Sequence, residues 1–170
     1  LSADTEIEAP ANPATLPEPV TGAIRFDNVT FAYPARPQDD VLQNVSLDVA
    51  PGETIALVGP SGAGKSTIFQ LLLRLYDPAN GGVTLDGVDI RDLDPVELRG
   101  ALAIVQQNAP LFSGSVSDNI LFGRPEATHE EVVAAAKAAN AHDFISALPE
   151  GYDTQLGENA GTLSGGQRQR

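Results

Sequence analysis

The chain has 170 residues, of which 42% are apolar and 19% charged, with a formal net charge of −13. This length can bury a core, and the composition is that of a globular protein. The acidic balance, with only 10 lysines and arginines, argues against general nucleic-acid binding. The absence of cysteine excludes disulfides and thiolate metal sites, and no apolar run has transmembrane length. A start at Leu1 and the lack of methionine predict a piece of a longer protein.

Residues 1–21 are acidic and rich in proline, a composition typical of a linker, so ordered structure is expected from Gly22. Alternating apolar residues predict a strand over residues 23–33, with a bulge, and a second strand over residues 41–49. A short, continuous apolar run predicts that residues 54–58 form a strand buried on both faces.

The middle of the chain mixes helical and strand patterns. Apolar residues at helical spacing predict a helix over residues 66–76, and residues 83–90 predict a strand followed by a turn. Asp94 predicts an N-cap, with Pro95 at the first position of a short helix. Residues 101–105 predict another buried strand.

The last third of the chain is mainly helical in pattern. Thr128 and Glu131 predict a capping box that begins a helix running to Ala139. A second short helix is predicted over residues 141–148, followed by a glycine-rich loop over residues 149–166. The order of elements, first β, then mixed and then α, indicates an α/β fold.

Residues 59–66 read GPSGAGKS and match the phosphate-loop pattern G-x-x-x-x-G-K-[ST]. Glycines allow backbone N–H groups to surround a β-phosphate, and the helix that follows directs its N-terminus at the same anion. Lys65 would neutralise β- and γ-phosphate oxygens, and the hydroxyl of Ser66 would bind Mg²⁺. The predicted binding residues here are Gly59, Pro60, Ser61, Gly62, Ala63, Gly64, Lys65, Ser66 and Thr67.

A second motif, LSGGQ at residues 163–167, follows much later. With the phosphate loop, it makes residues 22–170 resemble the nucleotide-binding domain of ABC transporters. The resemblance implies a P-loop NTPase core of the ABC type with an N-terminal antiparallel β subdomain, over about residues 22–106. It also implies a helical subdomain, over about residues 107–170, and a central sheet that is incomplete in this chain. The signature residues that would contact ATP held by another subunit are Ser164, Gly165, Gly166 and Gln167.

Two further positions match the family. Tyr33 resembles the aromatic residue that stacks on adenine, and base stacking of this kind contributes about 1–3 kcal/mol. Gln107 resembles the glutamine that touches Mg²⁺ and the attacking water. Gln106 is adjacent, and Gln107 is favoured because it preserves the exporter-like spacing to Leu111 and Phe112.

Three features are similar to exporters: the acidic lead-in of residues 1–21, the stretch PLFSGSV at residues 110–116, and TQLGE at residues 154–158. The resemblance therefore implies a domain that couples binding and hydrolysis of ATP, with Mg²⁺, to export. Its partners would be a second such domain, identical or different, and a transmembrane domain. It would lie at the cytoplasmic face of the cell membrane, with residues 1–21 as the linker.

Two alternatives compete with this interpretation. A soluble ABC ATPase acting on nucleic acid or ribosomes would share the motifs, and a P-loop kinase would share only the phosphate loop. The acidic surface and the lead-in argue against the first, and LSGGQ argues against the second. The family places its Walker B strand, catalytic glutamate and switch histidine beyond Arg170. The chain itself is therefore expected to bind ATP but to hydrolyse it poorly.

Overall fold

Four antiparallel strands form the sheet of the first half of the chain in the computed structural model, which describes residues 7–106, 110–157 and 163–170. The strands are β1 (Ile24–Ala32), β2 (Asp40–Val49), β3 (Asn80–Leu85) and β4 (Val88–Asp89), in the spatial order β2-β1-β3-β4. The alternation predicted for the first strand is confirmed, since its apolar side chains enter the core. The buried core residues are Leu16, Phe26, Val29, Phe31, Leu42, Leu71, Val83, Leu85, Ile90, Leu93 and Leu98.

The bulge predicted in the first strand is confirmed. The register between β1 and β2 shifts between Phe26 and Val29. Within this shift Asn28 has a left-handed backbone, with φ of 48°, and its N–H donates to the hydroxyl of Ser46 at 3.0 Å. The side chain of Ser46 therefore replaces the ladder hydrogen bond that the bulge removes.

Helix α1 (Lys65–Leu72) is shorter than predicted. The sequence pattern predicts a helix that runs to residue 76, whereas the helix ends at Leu72. It ends where Arg74 adopts a left-handed backbone, with φ of 49°. The N–H of Arg74 donates to the carbonyl of Leu71, and the N–H of Leu75 donates to the carbonyl of Gln70, both at 2.9 Å. These two bonds form a Schellman motif with arginine in the position usually held by glycine. The apolar pattern of the sequence continues past Arg74, so the pattern could not indicate where the helix ends.

Helix α2 (Pro95–Gly100) confirms the predicted cap, because the carboxylate of Asp94 accepts a hydrogen bond from the N–H of Val96 at 2.7 Å. The strands predicted over residues 54–58 and 101–105 are wrong. Neither segment forms a strand ladder in the described part of the chain, and Val58 and Val105 are 88% and 74% exposed. A buried strand of the parallel type needs neighbours to pair with, and the central sheet is incomplete here.

The lead-in packs on the same half of the chain, so the expectation that order begins near Gly22 was wrong for the residues described. Leu16 is buried in the core, and its N–H donates to the carboxylate of Glu97 at 2.9 Å. The N–H of Ala14 donates to the carbonyl of Asp92 at 2.8 Å. One apolar anchor and these long-range hydrogen bonds hold a segment whose composition is typical of a linker.

Asp86 holds the end of the lead-in, and this contact should depend on pH. Its carboxylate accepts hydrogen bonds from the N–H and hydroxyl of Thr21, at 2.6 and 2.7 Å, and from the N–H of Ala23 at 2.7 Å. Desolvation would raise the pKa of Asp86, but these hydrogen bonds outweigh it and hold the pKa below its ordinary value of 3.8. The folded state therefore favours the ionised carboxylate.

Because the folded-state pKa is lowered, the contribution of Asp86 is complete above its ordinary value and is lost as pH falls through the lowered value. We expect the amide resonances of Thr21 and Ala23 to shift together in NMR titrations below pH 3.8. The Asp86→Asn variant keeps one acceptor oxygen but cannot titrate, so the shifts should disappear. Shifts that persist in Asp86→Asn would assign the titration to another group.

The chain divides into two compact units, one ending at Ala103 and the other beginning at Ile104. The second unit contains five helical turns or helices and one short two-stranded pairing among its described residues. They are β5 (Gly114–Ser115), α3 (Val116–Leu121), α4 (His129–Ala138), α5 (His142–Ser146), a 3₁₀ turn (Gly151–Asp153), β6 (Gln155–Leu156) and α6 (Gly165–Gln169). Their buried apolar residues are Val116, Val132, Ala136, Ala141, Ile145, Leu156 and Leu163.

The predicted capping box of α4 is confirmed. The side chain of Thr128 accepts from the N–H of Glu131, and the carboxylate of Glu131 accepts from the N–H of Thr128 at 2.9 Å.

Residues 7–106, 110–157 and 163–170 include no helix with both the length and the apolar character that a membrane span requires.

Candidate functional site

The glycine-rich loop enters α1 through glycines with backbones that disfavour other residues. Gly59, Gly62 and Gly64 have φ of 154°, 83° and 81°. At Gly64 a Cβ would also lie 2.7 Å from Cδ2 of Leu42 and 3.2 Å from the carbonyl oxygen of Val41. Both conformation and space therefore require glycine immediately before the helix.

Lys65, the first residue of α1, closes the loop. Its Nζ donates to the carbonyl oxygens of Gly59 at 2.9 Å and Pro60 at 2.7 Å. An ammonium group has three donors, so two are used inside the loop and one remains for a ligand. The charge is thereby held at the start of the helix.

The N-terminus of α1 can receive an anion. Gly64, at the N-cap, has no side chain to bond the first amides, and the first turn contains no acidic residue. The unpaired N–H groups and the positive end of the helix dipole therefore remain available. Together with Lys65 they make this end of the helix suited to a phosphate group.

Tyr33 lies just beyond β1 and reaches the same helix. Its hydroxyl is 2.9 Å from the hydroxyl of Thr67 and donates to Oε1 of Gln70 at 2.6 Å. Its ring makes edge contacts with Phe31 and Tyr76, with ring centroids 5.0 and 5.4 Å apart. Contacts on several sides of the ring therefore hold Tyr33 beside the phosphate loop.

Tyr33 and the loop border one open cleft of about 630 Å³. The lining residues are Tyr33, Ala35, Arg36, Asp39, Val41, Ser61, Gly62, Gly64, Lys65, Ser66 and Thr67. The cleft thus combines an aromatic ring, a cation and an open helix N-terminus. This arrangement can bind a ligand with a planar ring at one end and phosphates at the other.

Several residues of the cleft were not identified from the sequence. Arg36 and Asp39 belong to two successive turns, in which the N–H of Arg36 donates to the carbonyl of Tyr33 and the N–H of Asp39 donates to the carbonyl of Arg36. The gap between the strands predicted over residues 23–33 and 41–49 is consistent with a loop, but no local signal indicates that this loop borders the phosphate loop. Gln70, which does not line the cleft but bonds to the hydroxyl of Tyr33, was also missed, although it shares a helix face with Thr67.

Gln107 lies outside the described residues, as does Glu158 of the exporter-like stretch at residues 154–158. The signature residues begin α6 in the second unit. The N–H of Ser164 donates to Oε1 of Gln167 at 2.8 Å, and the N–H of Gln167 donates to the hydroxyl of Ser164 at 3.2 Å. This capping box orders the motif within its own helix.

The two signature glycines are not required by packing within the chain. A Cβ at Gly165 or at Gly166 would meet no atom within 4 Å, and neither residue has a positive φ. A glycine within a helix lowers the stability of that helix by up to about 1 kcal/mol relative to alanine. These positions therefore leave the backbone open to approach from outside at some cost to the helix.

The loop, the helix N-terminus and the surrounding fold define a P-loop nucleotide-binding domain. A family model described as "ABC transporter" matches residues 42–170. The chain therefore belongs to the ABC transporter family, and the ABC-type fold implied by the sequence is confirmed.

Relatives with high similarity include exporters. The chain is 54% identical over 168 residues to the "Beta-(1-->2)glucan export ATP-binding/permease protein NdvA" of Brucella suis biovar 1 (strain 1330), covering 99% of this chain and 28% of that protein. It is 47% identical over 170 residues to "ABC transporter B family member 14" of Arabidopsis thaliana, covering 100% of this chain and 14% of that protein.

A solved structure, "Structure of a bacterial Atm1-family ABC exporter with ATP bound", matches 96% of this chain with a TM-score of 0.88 and 45% identity. The match covers 28% of that exporter chain. The chain thus spans less than a third of the length of each of these three proteins. The names of these relatives give no support to the soluble alternative.

Proposed function

We propose that this chain is the ATP-binding domain of an ABC exporter and that ATP occupies the cleft beside Lys65. The observation that carries the proposal is the cleft itself, where Tyr33, the phosphate loop and the N-terminus of α1 meet. In the proposed mode the adenine stacks on Tyr33, and the phosphates lie on the loop amides and Lys65.

Mg²⁺ is proposed to bind through the hydroxyl of Ser66 and, by family resemblance, through Gln107. Ser66 is exposed in the cleft and directly follows Lys65 at the start of α1. Mg²⁺ prefers a few protein oxygens together with phosphate oxygens and water, and this site offers that ligand set. When bound, the ion would neutralise β- and γ-phosphate charge.

In the whole protein, export would be driven by two such domains that bind ATP between them. The open backbone at Gly165 and Gly166 supports a role in contacting a nucleotide held by a partner domain. Residues 1–21 are proposed as the linker to a transmembrane domain, with the β subdomain and core at about residues 22–106 and the helical subdomain at about 107–170. This arrangement would lie at the cytoplasmic face of a membrane.

Hydrolysis requires a positioned water and a group that accepts its proton. Gln107 can orient water, but an amide side chain does not serve as the base. Asp39 is the carboxylate among the cleft-lining residues in the described ranges. It lies in a turn beside Tyr33, the ring end of the proposed nucleotide. We therefore propose that the chain alone binds ATP and turns it over slowly.

Isothermal titration with ATP, in the presence and absence of Mg²⁺, tests the proposal. Wild-type chain should bind Mg-ATP, and Ser66→Ala should weaken that binding by roughly 10-fold, the loss of one strong polar contact to an ion. Without Mg²⁺ the two proteins should bind alike. The matched control is Ser61→Ala, because this serine lies in the same loop but is not assigned to the metal.

Three results would contradict the proposal. The first is a wild-type chain that does not bind Mg-ATP. The second is an equal loss for Ser66→Ala with and without Mg²⁺, which would remove the metal assignment. The third is sustained phosphate release by the chain alone, which would show that the proton acceptor has been missed.

A further inference from the structure

The hydroxyl of Tyr33 is held by two side chains on one face of α1. It donates to Oε1 of Gln70 at 2.6 Å, and its oxygen is 2.9 Å from the hydroxyl of Thr67. An amide oxygen can only accept, so the Tyr33 proton points to Gln70 and the Thr67 hydroxyl donates to Tyr33. The three groups form a short chain of hydrogen bonds in which each donor has a defined acceptor.

This chain of hydrogen bonds joins the ring end of the cleft to the phosphate end. Thr67 is 3% exposed and directly follows Ser66 of the phosphate loop. Gln70 lies about one turn further along α1, on the same face, because residues three apart are neighbours on a helix. Gln70 itself is not among the residues that line the cleft. Its effect on a ligand would therefore pass through Tyr33.

The ring of Tyr33 has packing partners but needs the hydroxyl contacts to fix its tilt. Phe31 and Tyr76 contact it in edge geometry, with interplanar angles of 79° and 90°. Aromatic pairs are stable in several relative ring orientations, so these edge contacts by themselves do not fix the tilt of the Tyr33 ring. The hydroxyl contacts fix the far end of the ring, and Tyr33 is among the residues that line the cleft.

We propose that Gln70 is a positioning residue that holds the Tyr33 ring in place to recognise the base of the nucleotide. The proposal rests on the proposed function, in which Tyr33 stacks on adenine. Gln70 acts on the base-bearing part of the ligand and not on the phosphates, because its partner is the ring. Removing its acceptor takes away one of the two hydroxyl contacts, loosens the ring and weakens stacking without altering the phosphate loop.

The test compares two probes, Mg-ATP and the magnesium complex of inorganic tripolyphosphate, which has the phosphates but no base. Gln70→Ala should bind ATP on the order of 3- to 10-fold more weakly, the range expected for one hydrogen bond. Its affinity for tripolyphosphate should stay within about 2-fold of wild type. Gln70→Glu keeps an acceptor oxygen at the same place and should retain most of the affinity for ATP.

Tyr33→Phe keeps the ring and removes the hydroxyl with both of its contacts, so it should lose at least as much ATP affinity as Gln70→Ala. The double variant should lose no more than Tyr33→Phe alone, which would show that Gln70 acts through the hydroxyl of Tyr33. Gln43→Ala is the matched control, because Gln43 is an exposed glutamine on β2, away from α1. It should bind both probes like wild type.

Equal losses for both probes would overturn the proposal, because they would show that Gln70 only supports α1. Unchanged ATP affinity in Gln70→Ala would overturn it as well. If Gln70→Ala fails to fold, the comparison of Tyr33→Phe and Gln70→Glu with wild type decides. A failure of the proposed function looks different: wild type would bind neither probe, or Tyr33→Ala would leave ATP affinity unchanged.

Discussion

Replacing Lys65 by alanine should reduce the affinity for Mg-ATP at least about 100-fold, equivalent to about 2.7 kcal/mol of binding free energy. Its Nζ is held 2.9 and 2.7 Å from the carbonyl oxygens of Gly59 and Pro60, so the charge lies at the mouth of the loop. The chain has a formal net charge of −13, which opposes the approach of an anion. The local cation must therefore offset both the ligand charge and this background.

Lysine is rare in this protein, and that provides a matched control. The chain contains one other lysine, Lys137, which lies in the last turn of α4 in the second unit. Lys137→Ala removes the same charge from the net balance but should bind Mg-ATP within about 2-fold of wild type. Titration calorimetry measures both affinities, and circular dichroism shows whether each variant is folded. Similar affinities for the two variants would contradict the assignment of Lys65.

Replacing Arg74 by alanine should lower the free energy of unfolding of the first unit by about 2 kcal/mol, as expected when a buried guanidinium that donates to a buried carbonyl is removed. Arg74 is 5% exposed. Its guanidinium donates to the carbonyls of Leu93 at 3.1 Å and Glu8 at 3.4 Å, and to the carboxylate of Asp77 at 3.2 Å. Alanine leaves the buried carbonyl of Leu93 without this donor.

The backbone of Arg74 and its side chain can be tested separately. Arg74→Gly suits the left-handed backbone, with φ of 49°, so it should lose less stability than Arg74→Ala. Arg25→Ala is the control, because Arg25 makes ion pairs with Asp27 and Asp48 while its side chain is 58% exposed. Pairs of that kind contribute below about 1 kcal/mol.

Hydrogen exchange of β1 and β3 amides in increasing urea measures the first unit alone. Arg74→Ala should shift the opening of these strands to lower urea, and Arg25→Ala should leave it nearly unchanged. A loss in Arg74→Ala no larger than that in Arg25→Ala would mean that the buried contacts of Arg74 contribute no net stability.

Local patterns predicted local structure well in this chain. The phosphate loop, the N-cap at Asp94 and the capping box of Thr128 and Glu131 involve residues within one or two turns of one another. Their hydrogen bonds join neighbours along the chain, so side-chain type and spacing are sufficient to predict them. The bulge in β1 was predictable for the same reason, because it interrupts a short-range alternation.

Predictions that needed a neighbour distant in sequence were less successful. Apolar runs at residues 54–58 and 101–105 have the composition of buried strands, but a strand forms only when another strand pairs with it. The end of α1 depends on Arg74, whose side chain bonds to Leu93 and Glu8, far away along the chain. The docking of Leu16 likewise requires Glu97.

The sequence by itself determined that this chain has a phosphate loop and a signature motif of the ABC type, because each is a contiguous run of residues. Only the tertiary structure decided which side chains surround the phosphate loop and hold Tyr33 beside it. The hydroxyl oxygens of Tyr33 and Thr67 lie 2.9 Å apart, although the two residues are separated by 34 positions in the sequence. The structure also adds Arg36, Asp39 and Gln70 to the surroundings of the site. Such contacts arise when the sheet packs on α1, and no local pattern encodes them.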